Sequence, residues 1–296
     1  MKNNNYFLYF KTSNLFMNRL SDLSYCFFFN GERGVEILKL FKTKKFRILN
    51  VFIAKKFLRP KILKKIPKNV NFTLIDSLNE QTIINTLKDT DIALSCGFPL
   101  IFKKKILNLP KIGFLNCHAG ILPKYRGGSP LNWQLINGEK IFGISVIKIN
   151  HEIDGGDIFS ERRFIIKENY NINDLHKIAN KNFPKMIIES IKKIIDNKKP
   201  KKQKKNNIIW KQRVESDSIF DFKTKTFKQA DRFVKALQNP YPNAFFYFKT
   251  IKYEILEVIK SKKKLKAGNI FFKNHTMYLG LKDSTVKARF KISQFK

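Results

Sequence analysis

Apolar residues in the first half of the chain fall in short, almost uninterrupted runs, separated by stretches with helical spacing. SYCFFF at 24–29, the turn NGERG at 30–34 and the periodic stretch 35–41 read as a strand, a tight glycine turn and a helix. RILNVFI (47–53), NFTLI (71–75), DIALSCG (91–97), IGFLNCH (112–118) and FGISVIKI (142–149) read as further buried strands, with a helix near 80–87. Strands alternating with helices predict an α/β fold built on a parallel sheet with right-handed crossovers. Ligands of such sheets sit at the carboxyl ends of the strands. A helix-rich stretch, 173–196, closes this half, and KKPKKQKKNN (198–207) has the composition of a solvated linker. Beyond it, SIFDF (218–222), a helix over 228–237, the turn-forming NPYPNAF (239–245) and alternating runs at 253–259 and 277–281 predict a small, mostly β module. The expected organisation is an N-terminal extension (1–20), a catalytic α/β domain (21–197), a basic linker (198–210) and a C-terminal domain (211–296).

Composition changes this picture only in places. The 296 residues carry 59 Lys and Arg against 23 Asp and Glu, a net charge of +36 that points toward nucleic acid or an anionic surface. Only 10 of the 59 are arginine, the residue suited to forked contacts with phosphates and bases. A general lysine bias and a true polyanion-binding surface both account for the excess. Three cysteines without CxxC spacing suggest neither a disulfide framework nor a zinc site and fit a reducing cytoplasm. The apolar run at 6–10 is too short for a signal or a span, and no stretch reaches the ~18 apolar residues a bilayer requires, so the expectation is a soluble protein with no membrane partner.

The candidate chemistry is concentrated in 116–158. Asn116 and His118 alternate onto the same face at a strand end, while Cys117 faces the opposite way into packing. Asp154 follows in the loop HEIDGG after the next strand, where a neighbouring parallel strand end would bring it beside the imidazole. Gly155 and Gly156 let the loop bend. Such a set offers a proton carrier, a carboxylate that orients it and favours its charged form, and an amide donor for an oxyanion. That is equipment for acyl transfer without a covalent nucleophile. His151, His176 and His275 have no metal-ligand spacing, and NGERG departs from the GxGxxG fingerprint.

These residues resemble the folate-dependent formyltransferases, the family of methionyl-tRNA formyltransferase and of the N-formyltransferases of nucleotide-linked amino sugars. Asn116, His118, LPKYRG (122–127), Pro130, NGE (137–139) and DGGDI (154–158) follow the family's order and spacing. The resemblance covers 24–196, and FDF with NPYPNAF extends it to about residue 260. It implies a Rossmann-like parallel-sheet domain followed by an OB-like β domain. It further implies that His118 handles the proton, Asn116 stabilises the tetrahedral oxyanion and Asp154 supports the charged histidine. The formyl donor would be 10-formyltetrahydrofolate, held by Leu100, Ile101 and Phe102 and by Asn150, His151, Glu152 and Ile153, with the pterin beside 95–97. No metal is implied, and a homodimer is common among the sugar enzymes.

The amine acceptor is read from two segments. The basic stretch KKFLRPKILKKIPKN (55–69) is short and lacks the glycine-rich character with which methionyl-tRNA formyltransferases grip the acceptor stem. SPLNWQLINGE (129–139) resembles the amino-sugar enzymes, including the formyltransferase half of the bifunctional aminoarabinose enzyme. Gly128 stands where that last enzyme has an arginine near its sugar nucleotide, so its exact substrate does not carry over. The reading favoured is an amino-sugar N-formyltransferase of surface-polysaccharide synthesis. The alternatives are initiator methionyl-tRNA formylation and a non-catalytic nucleic-acid-binding relative.

Overall fold

A computed structural model describes residues 18–293. The expected extension at 1–20 lies almost wholly outside the described residues; within its last three, Leu20 is buried and its carbonyl accepts from Tyr25 Oη at 2.9 Å.

The chain resolves into two compact units. One takes in the chain up to Pro123, Gly143–Arg162 and Ile178–Asn207; the other comprises Lys124–Phe142, Arg163–Lys177 and the chain from Ile208 onward. The strands in chain order are β1 (Ser24–Phe28), β2 (Arg47–Ala54), β3 (Phe72–Ile75), β4 (Ile92–Ser95), β5 (Gly113–His118), the two-residue β6 (Arg126–Gly127), β7 (Ile141–Lys148) and β8 (Ile158–Ile165). Seven of them form one sheet in the order β3-β2-β1-β4-β5-β7-β8.

β1 and β4 are buried on both faces, which is why their sequences read as unbroken apolar runs rather than alternating ones. Helix α1 (Glu32–Thr43) follows β1, burying Val35, Leu38 and Phe41 at helical spacing. Gly34 lets it start so close to the strand: a Cβ there would lie 2.1 Å from the Phe29 ring. α2 (Gln81–Lys88) likewise buries Ile83 and Leu87. Phe28 centres an aromatic cluster with Phe52, Phe98, Phe102 and Phe114, at ring separations of 5.1–5.8 Å.

The sheet departs from the parallel expectation at one edge. β1, β2, β3, β4 and β5 pair in parallel, but β7 runs antiparallel to β5, with Asn116 opposite Ile147 and His118 opposite Ser145. β8 returns against β7, since Lys148 N–H donates to Asp157 O and Ile166 N–H to Lys140 O. A fully buried run has the same apolar pattern in either direction, so periodicity carries no information about strand sense. The inversion has a consequence for the site: β7 ends beside the beginning of β5, and the chain must double back through 149–157 to carry Asp154 to the carboxyl end of β5.

The second unit holds two features the pattern did not reveal, helix α3 (Pro130–Ile136) and the pairing of β6 with β9 (Ile209–Trp210). Both elements are too short for periodicity to report them. α4 (Ile172–Ile195), whose residues from Ile178 onward belong to the first unit, corresponds to the expected helix-rich stretch. α5 (Phe227–Ala236) opens with a capping box, Thr226 Oγ1 accepting from the Gln229 N–H while Gln229 Oε1 accepts from the Thr226 N–H. Five antiparallel strands complete the unit: β10 (Ala244–Phe248), β11 (Ile251–Ser261), β12 (Ile270–Lys273), β13 (Thr276–Gly280) and β14 (Thr285–Ser293), in the order β10-β11-β14-β13-β12. This is the small β module expected from the alternating runs.

Candidate active site

Asn116, His118 and Asp154 meet at the carboxyl end of β5, within the first unit. Asp154 Oδ2 lies 3.3 Å from His118 Nδ1, and Asp154 Oδ1 accepts from Asn116 Nδ2 at 3.2 Å. One carboxylate therefore orients both the imidazole and the amide. The histidine side chain is only 5% exposed and the aspartate 16%, so the pair interacts in a medium of reduced dielectric. An amide nitrogen carries two donors, and Asp154 occupies one on Asn116, which leaves a second N–H to offer a developing oxyanion.

The loop that delivers Asp154 is tightly determined. Asp154 has φ of 47°, in the left-handed region that non-glycine residues seldom occupy. Gly156 packs against β7 so closely that a Cβ would lie 1.6 Å from Lys148 O. The pattern of alternation placed Cys117 away from this face, and it is buried there with its sulfur 3.9 Å from that of Cys96. Burial is the main reason its thiol is pushed well above the ordinary range, as it is for Cys26. A thiol held protonated in this way does not act as a nucleophile.

The residues expected to contact the formyl donor divide by environment. Ile101 is 75% exposed and Ile153 45%, so the two loops present apolar side chains outward. Leu100 and Phe102 are partly buried, and Phe102 stacks on Phe98 and packs against Phe114 at 4.7 Å. Asn150 Oδ1 accepts from the Glu152 N–H, shaping the turn. Asn150 and His151 border a cleft of about 780 Å³, together with Lys104, Gly113, Phe114 and Lys148. The exposed Glu152 carboxylate lies against Gly155.

Two further residues near this strand end were not singled out from sequence. Arg33, from the first glycine turn, donates Nη1 to Cys117 O at 2.9 Å and places its guanidinium 4.7 Å from the centre of the Phe183 ring. Gln203, in the basic stretch taken for a linker, donates to the carbonyls of Asp154 and Gly156. For Arg33 the signal was a charged residue inside a tight βα turn; for Gln203 it was one uncharged side chain among lysines.

The second unit contains a polar cluster of its own. Glu139 Oε1 accepts from Tyr125 Oη and Lys124 Nζ, both at 2.6 Å, and Asn137 Nδ2 donates to the tyrosine oxygen at 3.2 Å. Partial burial opposes ionisation of Glu139, yet the bonds from Lys124 and Tyr125 hold it below the usual carboxylate range. Among the described residues, no group of three or more His, Cys, Asp or Glu is placed to hold a metal ion, and no helix is long and apolar enough to cross a membrane.

Comparison with known proteins shows the family and the fold. Residues 52–191 match the formyl transferase family, and 213–289 match the C-terminal domain of formyl transferases. The bifunctional polymyxin resistance protein ArnA of Wigglesworthia glossinidia brevipalpis is 33% identical over 209 residues, covering 66% of this chain and 29% of that protein. A methionyl-tRNA formyltransferase of Wolbachia sp. subsp. Drosophila simulans (strain wRi) is 29% identical over 196 residues, covering 66% and 63% of the respective chains. The match thus spans less than two thirds of either relative. Among solved structures, the N-formyltransferase from Helicobacter canadensis, in complex with folinic acid and dTDP-3-aminofucose, superimposes with a TM-score of 0.62 at 18% identity, over 91% of this chain and 100% of that one. A likeness at that identity establishes the fold.

Proposed function

The chain belongs to the formyl transferase family, and from that premise we propose that it transfers a formyl group from 10-formyltetrahydrofolate to a primary amine on a nucleotide-linked amino sugar. The observation that carries the reading is the shared carboxylate: Asp154 holds His118 and Asn116 at once, at 3.3 and 3.2 Å.

The loops flanking this trio suit the donor. Exposed Ile101 and Ile153 offer apolar surface to a flat ring system, while Asn116 and Asp154 supply polar groups at its reacting end. The acceptor's amine attacks the formyl carbon, forming a C–N bond and placing negative charge on the formyl oxygen. Asn116 donates to that oxygen, while His118 takes the proton that the attacking amine gives up, and the imidazolium so formed, paired with Asp154, stabilises the charge further. His118 then passes that proton to the departing donor nitrogen as the old C–N bond breaks and the carbonyl re-forms. The step needs no covalent enzyme intermediate.

Acceptor preference is supported by the extent of the match. The fold is shared over the whole length of the Helicobacter enzyme, which was solved with a nucleotide-linked amino sugar. The 55–69 segment forms only a three-residue turn, Lys55–Phe57, and a four-residue helix, Pro60–Leu63. The +36 charge and the methionyl-tRNA formyltransferase relatives favour a second reading, initiator tRNA formylation.

One assay tests both: tetrahydrofolate release with charged initiator methionyl-tRNA and with a panel of nucleotide-linked amino sugars, at low and moderate salt. Turnover with a sugar, indifferent to salt, is expected. Turnover with tRNA alone, weakening steeply as salt rises through counterion release, would replace the sugar reading. Turnover with neither acceptor would overturn the proposal.

A further inference from the structure

The basic run 198–207 has the composition of a tether, but part of it is attached to the active-site loop. Lys201 and Ile158 exchange backbone hydrogen bonds, both 2.9 Å, and Lys202 Nζ pairs with Asp157 Oδ2 at 2.6 Å. Gln203 Nε2 donates to Asp154 O at 2.8 Å and to Gly156 O at 2.6 Å. Asn206 Nδ2 donates to Pro123 O at 2.9 Å, in the loop that follows β5. Gln203 and Asn206 thus serve the loops, while Lys198, Lys199, Lys204 and Lys205 are exposed.

We propose that Gln203 is a positioning residue for the transfer reaction, holding Asp154 in the one backbone conformation from which its carboxylate reaches both His118 and Asn116. The inference rests on the formyl-transfer reading above. Asp154 is a non-glycine residue at φ 47°, a strained conformation that persists only where the surroundings impose it. A side-chain amide has two N–H donors, and in Gln203 both are directed at the carbonyls on either side of Gly155. Fixing those two peptide planes fixes the direction of the Asp154 side chain. The restraints from Lys201 and Lys202 do not do this. Lys202–Asp157 is a solvent-exposed ion pair, and the Lys201–Ile158 bridge lies beyond the end of the loop.

The full chain is assayed as wild type, Gln203→Ala, Gln203→Glu, Asp154→Asn and the double variant Gln203→Ala/Asp154→Asn. Gln203→Ala should lower kcat at least about tenfold with KM changed less than about twofold, the signature of misplaced reacting groups. Gln203→Glu, which turns a carboxylate toward two carbonyls, should be at least as damaging. In the Asp154→Asn background, removing Gln203 should cost nothing further, because its effect passes through that carboxylate. Unchanged kcat in Gln203→Ala, or full additivity with Asp154→Asn, would overturn the proposal. Hydrogen exchange provides a readout that needs no acceptor: amides of residues 152–157 should exchange faster in Gln203→Ala than in wild type, and equal rates would overturn the clamp. A wild type that turns over with no acceptor would overturn the proposed function, while the exchange experiment still decides the role of Gln203.

Discussion

Replacing Asp154 by asparagine keeps the side chain's size and removes its charge. In the structure each carboxylate oxygen has a task, one facing His118 Nδ1 at 3.3 Å and the other accepting from Asn116 at 3.2 Å. An asparagine has one oxygen and one NH₂ group, so one of these contacts becomes a meeting of two donors. The larger loss is electrostatic. At an effective dielectric of about 20, unit charges 3.3 Å apart attract by about 5 kcal/mol, an interaction present when His118 carries a proton in the transition state. The asparagine dipole and water reaching the partly exposed loop recover some of it, leaving about 3 kcal/mol, on the order of a hundredfold in rate. The assay is steady-state tetrahydrofolate release with the acceptor that the parallel assay selects, alongside thermal unfolding. The expected result is kcat reduced on the order of a hundredfold with KM little changed and the melting temperature preserved. A folded Asp154→Asn enzyme retaining a third or more of wild-type kcat would refute the argument, because it would mean that the carboxylate neither orients nor stabilises the imidazole.

Cys117→Ser should leave kcat within about threefold of wild type while lowering the melting temperature, because a hydroxyl replaces a thiol in a buried site beside Cys96 at a cost of about 1–3 kcal/mol. A well-folded but inactive Cys117→Ser enzyme would return the thiol to the chemistry. Asp91 ties the starts of β4 and β1 together, accepting from the Ser24 N–H and from Ser24 Oγ, each at 2.8 Å. Burial raises its pKa, but the Ser24 hydrogen bonds and Lys111 outweigh that effect and hold it below its ordinary 3.8. A depressed folded-state value means that this stabilisation is fully present above the unfolded value and is lost as pH falls through the folded one. Asp91→Asn should therefore cost about 2 kcal/mol at neutral pH and flatten the loss of stability below pH 4 in denaturant titrations, whereas parallel acid profiles for the two proteins would contradict the assignment.

Much of the fold was legible in the chain itself. Apolar runs located β1, β2, β4 and β5, helical spacing located α1, α2 and α4, and period-two alternation placed Asn116 and His118 on one face with Cys117 on the other. These are local properties, set by the geometry of a few consecutive residues, so the sequence alone determined them. The DGGDI loop likewise carried its own evidence, since two adjacent glycines next to an aspartate mark a tight turn with a polar side chain at its apex.

Tertiary structure decided what local pattern does not encode. The antiparallel sense of β7 is a pairing choice between strands, and a doubly buried strand has the same composition either way. The reach of Asp154 to His118 depends on that choice and on the return of the chain through Gly156, whose hydrogen already lies against Lys148 O. Gln203 is the clearest case. Its neighbours in sequence are lysines that belong in solvent, and only the approach of a stretch 49 residues upstream gives its amide the Asp154 carbonyl to bind. Hydrogen bonds across such distances in sequence exist only once the sheet has brought the segments together, so the residues of the proposed trio could be named from the chain, while what holds them in place became visible only in the folded molecule.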